Sequence, residues 1–292
     1  MEQSMIGRGR DAVEMIADPG SFAENRVGEH TFDPDYGPGA VVGTAALDGR
    51  PATVIANDAQ AVNPRFPVVY FGVIGMEEAY KMAGAVYETL AADADKPVAE
   101  KRPIVLIVDT PGNAPGKVEE IFGMNKATGA YQLALAQARK EGHAVVAMVI
   151  GRAISGAFLC HGLQADHILA LPKEYGTVIH VMPLSSISRI TKMDVERLEE
   201  LSARSPVFAS GVEFFYRLGG VEEIVPSPEE MGRAVRAHAA QIRALKAAGK
   251  FEETGPWGRG ELGRVRGGRT ARAAVLERME EEFSQVSGRY LR

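Results

Sequence analysis

Residues 105–116 read VLIVDTPGNAPG: four apolar residues, an acid, a threonine, then a turn with two prolines and two glycines. With Pro103 and Ile104 ahead of it, the apolar run predicts a strand buried on both faces, as in a parallel sheet covered by helices. Proline fixes φ and glycine permits any φ, so the turn Pro111–Gly116 is shaped to present its peptide groups. It contains no lysine, histidine or cysteine. What it offers a ligand is backbone.

The alternation around this strand sets the fold class. AVVGTAAL and RPATVIAN flank Asp48-Gly49, a hairpin signal. GMEEAYKMAGAVYETLAAD (75–93) has helical spacing, as does the stretch from about Val118 to Glu141, which Gly142 closes. AVVAMVI (144–150), HILAL (167–171) and TVIHV (177–181) supply further strands. The order β-α-β-α-β over residues 70–185 predicts a parallel α/β sheet. RDAVEMIADPGSF begins the chain with a helix, and DVERLEELSARSP, SPEEMGRAVRAHAAQIRALKAAG and a last amphipathic segment make its end helical. The expected organisation is an N-terminal helix and loop (1–36), one α/β domain (37–250), and a basic loop with a C-terminal helix (251–292).

Composition narrows the function. The chain has 292 residues and a net charge of −5, which gives no general attraction to nucleic acid or an anionic membrane. The first residues mix acids and bases without an apolar core, and no apolar run approaches membrane-spanning length, so a soluble cytoplasmic protein is expected. Cys160 is the single cysteine. The histidines lack metal-ligand spacing, so no catalytic metal is expected. A nucleotide-binding reading of VDTPG fails, because the two Gly-Lys pairs (Gly116-Lys117 and Gly249-Lys250) are followed by Val and Phe rather than Ser or Thr.

A second stretch, VIGRAISGAFLCHG (149–162), places a small-residue turn between a buried strand ending near Gly151 and a helix starting near Ser155 or Gly156. Free N–H groups at a helix start bind an anion or a developing oxyanion, and small residues admit the ligand. Ser155 is expected to cap the helix or position its backbone. It is also a weak match to a hydrolase elbow, with Ala153 and Ala157 at the two glycine positions and His180 downstream as a possible base. Cys160 and His161 read as packing residues, and His143 and His238 as exposed. Arg259, Arg264, Arg266, Arg269 and Arg272 are either a solvated tail or a docking site for an acidic partner. If the two turns follow neighbouring strands, both open at the carboxyl edge of the sheet, where ligands of open α/β sheets bind. Two backbone-lined walls suit chemistry that develops charge on oxygen, such as enolate formation from a thioester.

These residues resemble a known family. VDTPGNAPG is similar to the D-T-P-G-x-x-P-G turn of the carboxyltransferase subunits of acyl-CoA carboxylases, and VIGRAISGAF aligns without a gap with their V-I-G-x-G-G-S-G-G-A segment. GRPATVIAND and DPGSF belong to the same resemblance, which runs from about Arg8 to Val225. GRAISGAF and HGLQAD point within it to the gamma subunits of biotin-independent malonate decarboxylase.

The resemblance implies a crotonase-like (ClpP/crotonase) fold of β-β-α units with a mostly parallel sheet. It implies a homologous beta subunit as partner and, as substrate, a malonyl thioester on the phosphoribosyl-dephospho-CoA group of an acyl carrier protein. Decarboxylation would give the acetyl thioester and carbon dioxide, with no cofactor bound directly and no biotin. By position, the N–H groups of Gly156 and Ala157 match an oxyanion hole, and Gly112, Asn113 and Gly116 match the opposite wall. Ile154 and Phe158 replace small family residues and are expected to narrow the pocket against biotin. The rival readings are a carboxyltransferase subunit of a biotin-dependent malonate decarboxylase or acyl-CoA carboxylase, a Clp-type serine peptidase using Ser155 and His180, and a non-catalytic scaffold.

Overall fold

The computed structural model describes residues 3–180, 182, 184–202 and 211–291. Val181, in the predicted strand TVIHV, and residues 203–206, which end the predicted helix after Asp194, lie outside the described residues. The strands are β1 (Ala23–Glu24), β2 (Arg26–Val27), β3 (His30–Thr31), β4 (Ala40–Leu47), β5 (Arg50–Asn57), β6 (Ile104–Thr110), β7 (Val145–Ile154), β8 (His167–Ala170), β9 (Val178–His180) and β10 (Glu223–Ile224). The helices up to the sheet's last strand are α1 (Gly9–Ile16), α2 (Met76–Ala92), α3 (Lys117–Phe122), α4 (Met124–Lys140), α5 (Ser155–Cys160), α6 (Leu184–Thr191), α7 (Val195–Ser202) and α8 (Val212–Arg217). Three more follow: α9 (Met231–Ala247), α10 (Gly255–Val265) and α11 (Arg272–Val286).

The main sheet has the order β1-β4-β5-β6-β7-β8-β10, with β9 on the far end of β7, and β2-β3 form a separate ribbon. β1, β4 and β5 pair antiparallel, and from β5 onward every pairing is parallel. The β4–β5 turn carries φ of 51° at Asp48 and 72° at Gly49, the two left-handed residues a type I′ turn requires. β4-β5-α2 is thus a β-β-α unit. β6 shows why the sheet is buried on both faces. Ile104, Leu106 and Val108 join the core under α2, α4 and α5, whereas Val105 and Ile107 join the core under α1 and α9.

Several boundaries differ from the sequence reading. The helix expected over 118–141 is two helices, because Gly123 takes φ of 102° and breaks it. β7 does not stop near Gly151. Its register against β6 jumps from Val108↔Val149 to Thr110↔Ala153, a bulge, and on its other side the last three residues pair with β9 where β8 has ended. α6, α8 and α10 carried no signal strong enough to place them.

The histidines divide. His161 is buried in the core as expected; Nδ1 lies 2.9 Å from the Tyr131 hydroxyl and Nε2 2.9 Å from the Ile107 carbonyl. Burial lowers its pKa to about 4 and raises that of Cys160 to about 12, so neither is reactive at neutral pH. His143 and His238 are not exposed. His143 is fully buried with Nδ1 on the Arg102 carbonyl, and His238 is half-buried between His167 Nδ1 (2.8 Å) and Glu223 (3.0 Å).

Most of the arginine-rich tail is folded back onto the domain rather than solvated, although Arg264 and Arg269 stay exposed. Buried Arg259 donates to the carbonyls of Leu163, Ala165 and Asp166. Arg266 donates to those of Tyr216, Val221 and Glu222, with its guanidinium 3.6 Å from the Tyr216 ring centroid. Arg269 donates to Leu218, and Arg264 and Arg272 flank Glu261. Beneath them, buried Lys246 and Thr254 both bond Asp166. Guanidinium forks satisfy main-chain carbonyls at these loop ends, several donors to one segment. α11, like α6, has no buried residue.

Candidate active site

Both turns follow adjacent parallel strands and lie together at the carboxyl edge. After β6 the backbone turns at Thr110, whose hydroxyl lies 3.3 Å from both the N–H and the carbonyl of Gly112. Gly112 has φ of +143° and open space where a side chain would start, so its glycine is required by conformation. Asn113 is half-buried and its side-chain Oδ1 is buried without a hydrogen-bond partner. Gly116 serves a different need. A Cβ there would lie 1.8 Å from Glu119 Oε2, so the glycine makes room for a buried carboxylate that the sequence reading overlooked.

After β7 the chain enters α5 through Ser155, an exposed residue with φ of +56°. A left-handed serine costs about 1–3 kcal/mol, strain held at a strand-to-helix elbow. The capping expectation fails: Ile154 occupies the N-cap position and no side chain caps the helix. The amides of Ser155, Gly156 and Ala157 therefore have no helical acceptor behind them. Gly156 is half-buried and Ala157 fully buried. A Cβ at Gly156 would sit 3.1 Å from Asn113 Oδ1, so the two turns touch at this point.

What fixes the turns relative to one another is an ion pair that the sequence reading missed. Asp109, 1% exposed, accepts from Arg152 Nε (2.8 Å), Arg152 NH2 (3.0 Å), the Arg152 amide (2.8 Å) and the Gly7 amide (2.7 Å). The β7 bulge brings backbone and side chain of Arg152 onto the same carboxylate, and a Cβ at Gly151 would lie 2.6 Å from Asp109 Oδ1. Asp109 thus acts as an acceptor that ties the start of the first turn to β7 and to Gly7. Over the guanidinium lies the Phe71 ring, 4.0 Å away, on a residue with φ of +53°. The same loop bonds the first turn, Ile74 N–H to the Gly112 carbonyl (3.1 Å) and Ala114 N–H to the Ile74 carbonyl (2.9 Å).

Two expectations about side chains fall here. Phe158 does not narrow the pocket: it is 3% exposed, its ring packed on Gly162 and 6.5 Å from that of Phe215 in the core. His180 pairs opposite Ile154 and burial lowers its pKa, but its Nδ1 has no partner and no hydrogen bond joins it to Ser155 among the described residues. Among the described residues no group of His, Cys, Asp and Glu is arranged to hold a metal, and no helix is long and apolar enough to cross a membrane. A cavity of about 680 Å³ lies away from both turns, between Arg26, Thr44, Glu88 and Arg102.

Residues 71–283 match the family described as malonate decarboxylase gamma subunit. The chain belongs to that family. It is 63% identical over 280 residues, 96% of either chain, to the malonyl-S-ACP:biotin-protein carboxyltransferase MADD of Malonomonas rubra. It is 30% identical to the acetyl-coenzyme A carboxylase carboxyl transferase alpha subunit of a Marinomonas species over 70% of this chain and 59% of that one. A Pseudomonas malonate decarboxylase hetero-tetramer crystallised with coenzyme A contains a chain that superposes with a TM-score of 0.72 at 31% identity, over 94% of this chain and 99% of that one. The Pseudomonas MdcD–MdcE hetero-dimer does so with a TM-score of 0.66 at 30% identity, over 92% and 96% of the two chains. The crotonase-like fold and the carboxyltransferase family follow from these relationships, and both Pseudomonas relatives are hetero-oligomers.

Proposed function

We infer that this subunit, with a homologous beta subunit, removes the carboxyl group of a malonyl thioester carried on an acyl carrier protein. The observation that carries the reading is the contact of the two glycine turns. The side-chain amide of Asn113 meets Gly156 beside amides that have no acceptor, in a chain of the malonate decarboxylase gamma subunit family. In the reaction the bond between the α-carbon and the carboxyl carbon breaks. Its electron pair moves into the thioester, which becomes an enolate and is then protonated to the acetyl thioester. The N–H groups of Gly156 and Ala157 hold the carboxylate and the departing carbon dioxide, while the partner subunit holds the thioester oxygen. Ser155 contributes by its backbone angle, which aims those amides. One oriented donor to developing charge is worth about 2.7–4 kcal/mol, and that stabilisation falls to the donors on the enolate oxygen; the amides of Gly156 and Ala157 orient the carboxyl group whose charge is lost. α5 has only six residues, so its contribution is the individual N–H bonds rather than a long helix dipole.

A second reading concerns where the carboxyl group goes. The relative at 63% identity is named as a transferase to a biotin protein, and with Phe158 turned into the core one of the two residues expected to bar biotin does not. In that case the same amides hold the biotin ureido oxygen. The test is the reconstituted two-subunit complex with malonyl-carrier protein, with and without a biotinylated acceptor. Carbon dioxide without acceptor supports release; turnover only with the acceptor supports transfer. Ala157→Pro, which deletes one N–H, is expected to lower either rate by at least tenfold, and unchanged turnover in a folded complex removes that donor from the mechanism.

A further inference from the structure

At the opposite edge of the sheet, Leu47, Asp48, Arg50, Pro103, Arg236 and Arg243 line a cavity of about 190 Å³ between the β4–β5 turn and α9. Three guanidinium groups meet there. Asp18 partners Arg236 (2.7 Å), and Asp18 also accepts the amides of Asp48 (3.1 Å) and Gly49 (2.8 Å), so its oxygens are occupied. Arg50 and Arg243 have no acidic partner among the described residues. Arg243 carries a buried Nε–H with no acceptor. The Nε of Arg236 is 2.9 Å from Asp48 Oδ1 but is not aligned to it, and it too makes no hydrogen bond. Burial, and then the charge of Arg50, lower the pKa of Arg243. Two cations without a carboxylate partner, Arg50 and Arg243, therefore line one small cavity, and beside it the buried Nε–H groups of Arg236 and Arg243 have no acceptor.

We propose that this cavity binds a phosphoryl group, either free phosphate or the end of a phosphoester, held by Arg50, Arg236 and Arg243. The guanidinium fork matches tetrahedral phosphate oxygens with paired N–H bonds. A dianion matches the two arginines that no carboxylate neutralises, better than a monovalent carboxylate does. The volume is that of about six waters, enough for a phosphoryl group and its first hydration but below the roughly 300 Å³ of a whole-cofactor pocket. Asp48 opposes the anion; its carboxylate is 75% exposed, at the mouth, where water screens it. β5 runs eight residues from Arg50 to Asn57, so the cavity is roughly 25 Å from the two turns. The site is separate from the thioester chemistry.

The test is titration of the full chain with inorganic phosphate and with AMP by calorimetry, against sodium chloride at equal ionic strength. One saturable site is expected, weakened at least tenfold by Arg243→Gln. Asp48→Asn, which retains an Asn-Gly type I′ turn, is expected to tighten it severalfold. AMP binding equal to phosphate marks a free-anion site, and AMP binding tenfold tighter marks a phosphoester site. No saturation above chloride, or an affinity unchanged in Arg243→Gln, overturns the proposal. Should Arg243→Gln fail to fold, exposed Arg50→Gln serves instead: a fivefold loss supports the site and an unchanged affinity overturns it.

Discussion

Replacing Arg152 by methionine isolates the link between the two turns. The change keeps the unbranched stem of the side chain and removes the Nε–Oδ1 and NH2–Oδ2 bonds, leaving Asp109 with the amides of Gly7 and Arg152. Breaking one side of a buried pair costs about 3–5 kcal/mol. Because two amides still reach the carboxylate, the lower end applies, about 3 kcal/mol, with about 0.5–1 kcal/mol more for the lost stacking of Phe71. Urea unfolding should show that loss as a lower midpoint at unchanged slope. In the double variant Arg152→Met with Asp109→Asn, the two losses should fall short of their sum by about 1–3 kcal/mol. Turnover of the assembled complex should drop by about a hundredfold, since displacement of about 1 Å between reacting groups is enough for that. A destabilisation below 1 kcal/mol with turnover retained would refute the reasoning and leave the turns held by their strands alone.

Other expectations follow from single features. Ser155→Gly relieves a left-handed residue and should raise stability by about 1 kcal/mol by thermal or urea unfolding; a loss would mean the hydroxyl does more than occupy the elbow. Gly156→Ala brings a methyl within 3.1 Å of Asn113 Oδ1, so turnover should fall at least tenfold while stability changes by less than about 1 kcal/mol. Burial lowers the pKa of His161 to about 4 and that of His167 to about 3, below the ordinary 6.5. Both are neutral in the fold and protonate on unfolding, so their stabilisation is full above pH 6.5 and falls as pH drops toward 4. The unfolding free energy near pH 5 should fall by about 1.4 kcal/mol per pH unit for each. A flat profile between pH 5 and 6.5 would contradict this.

The sheet was legible because β6 and β7 are apolar on both faces and the glycine-proline turn marks where β6 stops, although β7 runs on past Gly151 to Ile154. The hairpin was legible from Asp48-Gly49 alone. The two turns were also found, and the structure brings them together. What stayed hidden depended on pairings distant in sequence. Arg152 reads as one charge in an apolar run until the bulge at Gly151 sets it 43 residues away against Asp109. The loop carrying Phe71 and Ile74 has no periodicity to betray that it walls the site. Phe158 was misplaced because a six-residue helix does not declare which face it buries. Gly116 looks in sequence like its neighbour Gly112, yet one glycine is set by backbone angle and the other by a carboxylate.

The arginine clamps also bear on which parts of the sequence are free to vary. Arg259, Arg266 and Arg269 lie downstream of the sheet, yet they reach back to the carbonyls of Leu163, Ala165 and Asp166 and of Tyr216, Leu218, Val221 and Glu222 at the sheet's far end. Because the clamps grip main chain rather than side chains, the gripped segments can drift in sequence as long as the arginines do not.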